Sequence, residues 1–119
     1  MPFVEVTRWV KIASNATEFK KRIPQQKMYK MGVGKYNLCL TRYDEKVYAF
    51  ENRCPHQLME LTKGECTPDK KVICPWHRWA FDLENGKGGG LYLEVFPIKE
   101  EENQLYIGFK KMTFKLFSK

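Results

Sequence analysis

The stretch "CPHQLMEL" (Cys54–Leu61), answered further along by "CPWHRWAFDLENGK" (Cys74–Lys87), decides how this chain is read. The chain has only two histidines, and each stands beside a cysteine and a proline: His56 follows Cys54 and Pro55, and His77 follows Cys74, Pro75 and Trp76. If the four side chains met at one point they would form a metal site of two sulfurs and two nitrogens. Structural zinc sites usually group like with like, in pairs such as C-x2-C and H-x3-H. Here each knuckle is mixed, C-x-H first and C-x-x-H second.

A mixed knuckle suits a two-iron cluster. Each loop sends its sulfur to one iron and its imidazole to the other, so each iron receives like ligands. Cys54 and Cys74 then hold the inner iron, and His56 and His77 the outer one. Pro55 and Pro75 fix φ just after each thiolate and hold the loop in one shape. The rival of another class is a zinc-binding interaction module that uses the same four ligands.

Outside the knuckles, "VTRWVKIA", "KYNLCLTRY" and "KVYAFEN" alternate in polarity and are rich in β-branched and aromatic residues, so they predict strands. Asp44 and Glu45 form a turn between the last two. "LYLEVFPI" and "QLYIGFK" predict two more strands, divided by the acidic turn Lys99 to Asn103. A cap at Ser14 or Asn15 allows one helical turn at most before Pro24. "ENGK" (Glu84–Lys87) carries the Asn-Gly signal of a tight hairpin after Phe81 and Leu83, and "GKGGG" reads as a hinge or turn. Short strands divided by turns indicate an all-β sandwich or barrel. The segment around residues 53–75 shows little alternation and reads as inserted loops.

At 119 residues, with 43% hydrophobic and 14% aromatic content, one domain with a core of its own is expected. No run approaches the roughly 18 apolar residues of a membrane span, and no secretory h-region is apparent, so a cytoplasmic protein without membrane contact is expected. In a reducing compartment the four cysteines favour metal ligation or free thiols over disulfides. The net charge of +7 is spread along the chain with acids between the bases, which suits a solvated face or an acidic partner better than nucleic acid.

Cys39 is expected to point inward from its strand as a small hydrophobe, and Cys66 to be a loop cysteine. Trp76 is expected to shield the metal, and Trp79 and Phe81 to pack inside.

Taken together, "WVKIA", "VYAFENRCPHQ", Leu61, Gly64 and "CPWHRWAFDLENGK" resemble the Rieske [2Fe-2S] family, in the small soluble ferredoxin form that serves ring-hydroxylating oxygenases. The resemblance covers nearly the whole chain and is weakest at "KKRIPQQKMYK" and after Phe109. It implies a Rieske-like antiparallel β-sandwich or barrel, one domain over 1–119, with a small loop-rich cluster-binding subdomain at about 52–82. It implies a [2Fe-2S] cluster on Cys54, His56, Cys74 and His77. The function implied is that of an electron carrier, itself no enzyme, taking one electron from a flavoprotein reductase to a terminal oxygenase or other redox enzyme. A small Rieske subunit of an assimilatory nitrite reductase is the close alternative. Respiratory members carry a disulfide between the ligand loops, where Met59 and Trp76 stand here, and a Gly-Ser after the second histidine, where Arg78 and Trp79 stand. These departures imply a low-potential carrier. Oxygenase-type ferredoxins are commonly acidic and this chain is basic; Lys63 and Arg78 are the bases nearest the ligands that could meet a partner.

Overall fold

A computed structural model describes residues 3–55, 59–76 and 78–114, the side chains of residues 3, 4 and 112–114 excepted. The described chain is built from short antiparallel strands. In one sheet β1 (Phe3–Ala13) pairs with β12 (Gln104–Phe114), whose other edge takes β11 (Ile98–Glu101). A second sheet has the order β10 (Val95–Phe96), β4 (Lys46–Glu51), β3 (Tyr36–Tyr43), β2 (Met28–Val33). A third holds β5 (Glu65–Cys66), β6 (Lys71–Ile73) and β7 (Ala80–Asp82), and β8 (Lys87–Gly88) forms a ribbon with β9 (Leu91–Tyr92). The expectation of an all-β antiparallel fold is met.

The hairpin of β3 and β4 organises the rest. Successive strand residues face opposite sides, so an apolar set at each parity gives a wall buried on both faces. Leu38, Leu40, Val47 and Ala49 face a core shared with Phe96, Leu105 and Ile107 from the strands of the first sheet and their neighbours. Cys39, Tyr43, Tyr48 and Phe50 face a second core that contains Cys54, Leu61, Val72, Cys74 and Phe81. Cys39 and Phe50 are direct cross-strand partners, and so are Leu40 and Ala49.

The turns carry the sequence signals expected of them, with one exchange of roles. Asp44 takes φ +56 between β3 and β4, and Glu102 and Asn103 take φ +51 and +60 between β11 and β12. The Asn-Gly pair does not close a ladder between β7 and β8. Gly86 N–H donates to Asp82 O at 2.6 Å, and Gly86 O accepts from Leu93 N–H at 2.7 Å. A side chain at Gly86 would place its Cβ 2.0 Å from Leu93 O, so this turn docks the returning chain. The tight hairpin is instead Gly89–Gly90, both at positive φ (+57 and +82), inside the segment expected to be a hinge or turn.

Other expectations need correcting. The helix α1 (Ala16–Lys21) runs six residues, longer than a single turn. Asn15 caps it by accepting from Glu18 N–H at 3.1 Å, and Asn103 of the β11–β12 turn adds a carbonyl to Ala16 N–H at 2.6 Å and a side-chain oxygen to Thr17 N–H at 3.2 Å. That second donor set comes from distant sequence. "LYLEVFPI" is broken into β9, β10 and β11, with Pro97 between the last two. The segment around 53–75 holds β5, β6 and a 3₁₀ turn at Leu61–Lys63, and Cys66 lies on a strand paired with Val72.

If β3–β4 is the common wall, truncation in it should be costly. Phe50→Ala should destabilise the protein by about 3–5 kcal/mol, the usual cost of emptying a buried phenylalanine site, measured by equilibrium denaturation. A loss below about 1 kcal/mol would mean that the second core does not depend on the wall.

Candidate metal centre

Two loops bring the cysteines together. The first leaves β4 at Glu51 and is fixed by Asn52, a buried side chain that sequence reasoning passed over. Asn52 N–H donates to Asn37 O at 2.9 Å, its Oδ1 accepts from Thr62 N–H at 2.9 Å, and its Nδ2 donates to Glu60 Oε1 at 3.0 Å. One amide thus ties β3, the start of the knuckle and its end. Glu60 also meets Lys30 Nζ at 2.6 Å, and that ammonium holds the Glu60 carboxyl below its usual range. An Asn in the segment between a strand and a ligand knuckle is the signal that could have marked it, since such backbone donors and acceptors need a local partner.

The second loop leaves β6 at Ile73 and returns as β7 at Ala80. Its sharpest point is Arg78, at φ +54, a left-handed conformation that costs a non-glycine residue about 1–3 kcal/mol. Arg78 is anchored by Glu65, Nη2 to Oε1 2.9 Å.

The two loops close in the same way. Cys54 N–H donates to Met59 O at 2.8 Å, and Cys74 N–H donates to Trp79 O at 2.8 Å. In each case the carbonyl comes from the fifth residue after the cysteine (54 to 59, 74 to 79). Cys54 and Cys74 are both fully buried in one core, near enough for Cys54 to raise the Cys74 thiol pKa. Gly64 lets the loops approach: a Cβ there would lie 1.9 Å from Ile73 O and 3.2 Å from Pro75 Cδ. His56 and His77 lie outside the described residues. Among the described residues no group of three or more His, Cys, Asp or Glu converges, so of the four candidate ligands the structure describes the two cysteines, the candidate sulfur half.

That half fits an iron centre. Burial pushes the Cys74 thiol pKa up, the Trp76 backbone N–H pulls it down, and Cys54 adds to the rise. Burial thus favours the protonated Cys74 thiol, and a bound cation is what converts such a thiol to thiolate. The Trp76 amide is placed to stabilise the thiolate once formed.

The remaining candidates separate cleanly. Cys39 is fully buried, as expected, and burial raises its pKa. Cys66 is partly buried at the edge of the same core, with its pKa also raised by burial. Phe81 is buried as expected, but Trp79 is 38% exposed and Trp76 52% exposed. Trp79 stands before β7 begins at Ala80, so strand alternation does not carry its side chain inward with that of Phe81. Lys63 and Arg78 are each near an acid, Glu60 at 4.0 Å and Glu65 at 2.9 Å.

Comparison with known proteins agrees with this arrangement. The chain is 34% identical over 79 residues to the ferredoxin component of the alkene monooxygenase system of Xanthobacter autotrophicus, a match covering 64% of this chain and 65% of that protein. It is 32% identical over 84 residues to ferredoxin CarAc of Metapseudomonas resinovorans, covering 66% of this chain and 77% of the relative. A solved complex of reduced oxygenase and oxidized ferredoxin in carbazole 1,9a-dioxygenase contains a chain that superposes with a TM-score of 0.68 at 25% identity, over 83% of this chain and 91% of that one. Residues 9–91 match the model of the Rieske [2Fe-2S] domain, whose cofactor is a two-iron, two-sulfide cluster. With its cysteines buried side by side at the tips of two equivalent loops, the chain belongs to the Rieske [2Fe-2S] domain family.

Proposed function

We propose that this protein is a one-electron carrier that takes an electron from a flavoprotein reductase and delivers it to a terminal oxygenase or a related redox enzyme. The observation that carries the proposal is the buried Cys54–Cys74 pair, held by two loops closed through the same backbone hydrogen bond. The ferredoxin names of the relatives, and the solved complex of one such ferredoxin with its oxygenase, support the choice of partners. The carrier makes and breaks no substrate bond.

In this reading Cys54, His56, Cys74 and His77 hold the [2Fe-2S] cluster, which when bound exchanges a single electron. The protein's own part is to bury the two thiolates, to direct the Trp76 N–H at Cys74, and to keep both loops rigid through Asn52 and Gly64. Residues 1–119 act as one Rieske-type domain, with a cluster-binding part at about 52–82 set into the β base. The support is topological: β4 ends at Glu51, and the sheet of β5, β6 and β7 ends at Asp82 without pairing to the two larger sheets. A cytoplasmic location belongs to the same reading, supported by four cysteines that are free thiols; no helix among the described residues is long and apolar enough to cross a membrane.

Iron and sulfide analysis with a visible spectrum tests the reading directly, since a zinc module would be colourless in both redox states. Cys54→Ser and Cys74→Ser should each abolish the visible absorbance, and Cys39→Ser should retain it. A coloured Cys74→Ser protein beside a colourless Cys39→Ser protein would overturn the assignment.

Gly64→Ala should lower iron content and stability together, because the added methyl must displace the Ile73 carbonyl next to Cys74. The expected loss is about 1–3 kcal/mol, the usual range for overpacking a close contact. Full iron occupancy with unchanged thermal stability would show that the two loops do not need this approach.

A further inference from the structure

Away from the cysteines, the open end of the sandwich carries charge where the core would otherwise continue. Arg8 of β1 lies directly opposite Phe109 of β12, and Lys111 follows Phe109 by two residues, so these three share one face of the sheet. Phe109 is buried in the upper core, whereas Arg8 and Lys111 are exposed. Lys110 borders the same space, and the β2–β3 turn supplies Gly34 and Lys35 from the facing sheet. The result is a cleft of about 600 Å³ whose charged lining residues are Arg8, Lys35, Lys110 and Lys111, over a floor of Val33, Tyr36 and Phe109. Among the described residues no acid lines it and none of the four cations forms an ion pair.

We propose that this cleft is a docking site for an acidic, extended polypeptide segment of the redox partner. Continuity with the metal centre supports it. A second depression shares Lys35 and Tyr36 with the cleft and runs to Asn52 and Arg53 at the root of the first knuckle. The acids along that path are already matched, Glu51 by Arg53 at 3.6 Å and Glu60 by Lys30 at 2.6 Å. A partner seated on the knuckles could therefore extend along this flank and place carboxylates on the unpaired cations. Lys63 and Arg78, close to the ligands, are offset by their own glutamates and offer less to an acidic partner.

The lining selects among polyanions. Nucleic acid gains much of its affinity for single-strand sites by stacking bases on bare rings. Here Tyr36 lies stacked on Phe109, centroids 4.4 Å apart at 15°, with Lys35 Nζ 5.7 Å from the Tyr36 centroid. The floor suits small apolar side chains between carboxylates, and a lone phosphate would leave most of the volume unfilled. The proposal rests on the electron-carrier reading only for the identity of the partner.

The test uses the full-length, iron-loaded protein and an octaglutamate peptide as the probe, at low ionic strength. Amide NMR shifts should move first at Gly34, Lys35, Lys110 and Lys111. A Lys35→Gln, Lys110→Gln, Lys111→Gln triple variant should bind at least about tenfold more weakly, since three close charge attractions are removed. The matching Lys→Arg triple variant should bind as the parent does, which also guards against a misfolded Gln variant. Shifts spread evenly over Lys20, Lys21 and Lys27 would overturn the proposal, as would unchanged binding by the Gln variant. An oligodeoxynucleotide of equal charge that displaces the peptide from the same amides would overturn it in favour of a nucleic-acid site. The visible spectrum of each sample reports separately on the cluster, so a failed docking site and a failed electron-carrier reading give different results.

Discussion

Burial of both faces of the β3–β4 hairpin is the constraint on which the structure depends. A strand pair that presents apolar side chains at both parities cannot satisfy water on either side, so it must sit between two cores. Leu38 and Leu40 draw the long strands β1 and β12 and their neighbours onto one face, while Cys39 and Phe50 draw the cysteine loops onto the other. The candidate metal centre is thereby built against a wall buried on both faces. Thr41 is the exception within the wall: among the described residues its buried Oγ1 has no close hydrogen-bond partner, and it acts on the neighbouring Cys66 thiol, whose pKa it lowers.

The cysteine loops are short of regular ladder bonds, and their rigidity comes from a few placed contacts. The paired closures at Cys54 and Cys74 leave each sulfur at a loop tip with its own N–H already satisfied. Asn52 spans from β3 to the far side of the first loop, and Gly64 lets the loops meet at a distance no side chain would permit. In the electron-carrier role proposed above these features would matter, because a centre that changes charge while its ligands stay fixed needs little reorganisation of its surroundings. The two exposed tryptophans belong to the outer surface of the second loop and do not fill the pocket.

Charge is arranged by region. Near the loops most cations face acids at ion-pair distance, whereas the four at the open end of the sandwich have no such partner among the described residues. The basic character of the chain, visible in its net charge of +7, thus has a local expression on one flank. Desolvation of an unpaired ammonium is expensive in a core but small at an open rim, which is why these positions tolerate lysine and arginine at the end of an otherwise apolar face.

The sequence by itself determined the strand content and the family resemblance and supplied the candidate ligands, because each is written in local pattern: period-two alternation, mixed Cys and His knuckles, and turn residues at Asp44 and Asn103. It misassigned the tight hairpin, since Asn85–Gly86 and Gly89–Gly90 carry equivalent local signals and only the docking of Gly86 on Leu93 distinguishes them. Trp79 looked like core by spacing, yet it stands before β7 begins at Ala80, and strand alternation does not reach it. Asn52 carried only the local signal of its place between a strand and the first knuckle, and its partners Asn37, Glu60 and Thr62 are assembled from separate elements. The cationic cleft was equally hidden, since Arg8, Lys35, Lys110 and Lys111 are scattered bases until β1, β12 and the β2–β3 turn are folded together. Local chemistry is set by neighbouring residues along the chain, while long-range proximity is set by which faces must be buried, and only the tertiary structure decides that.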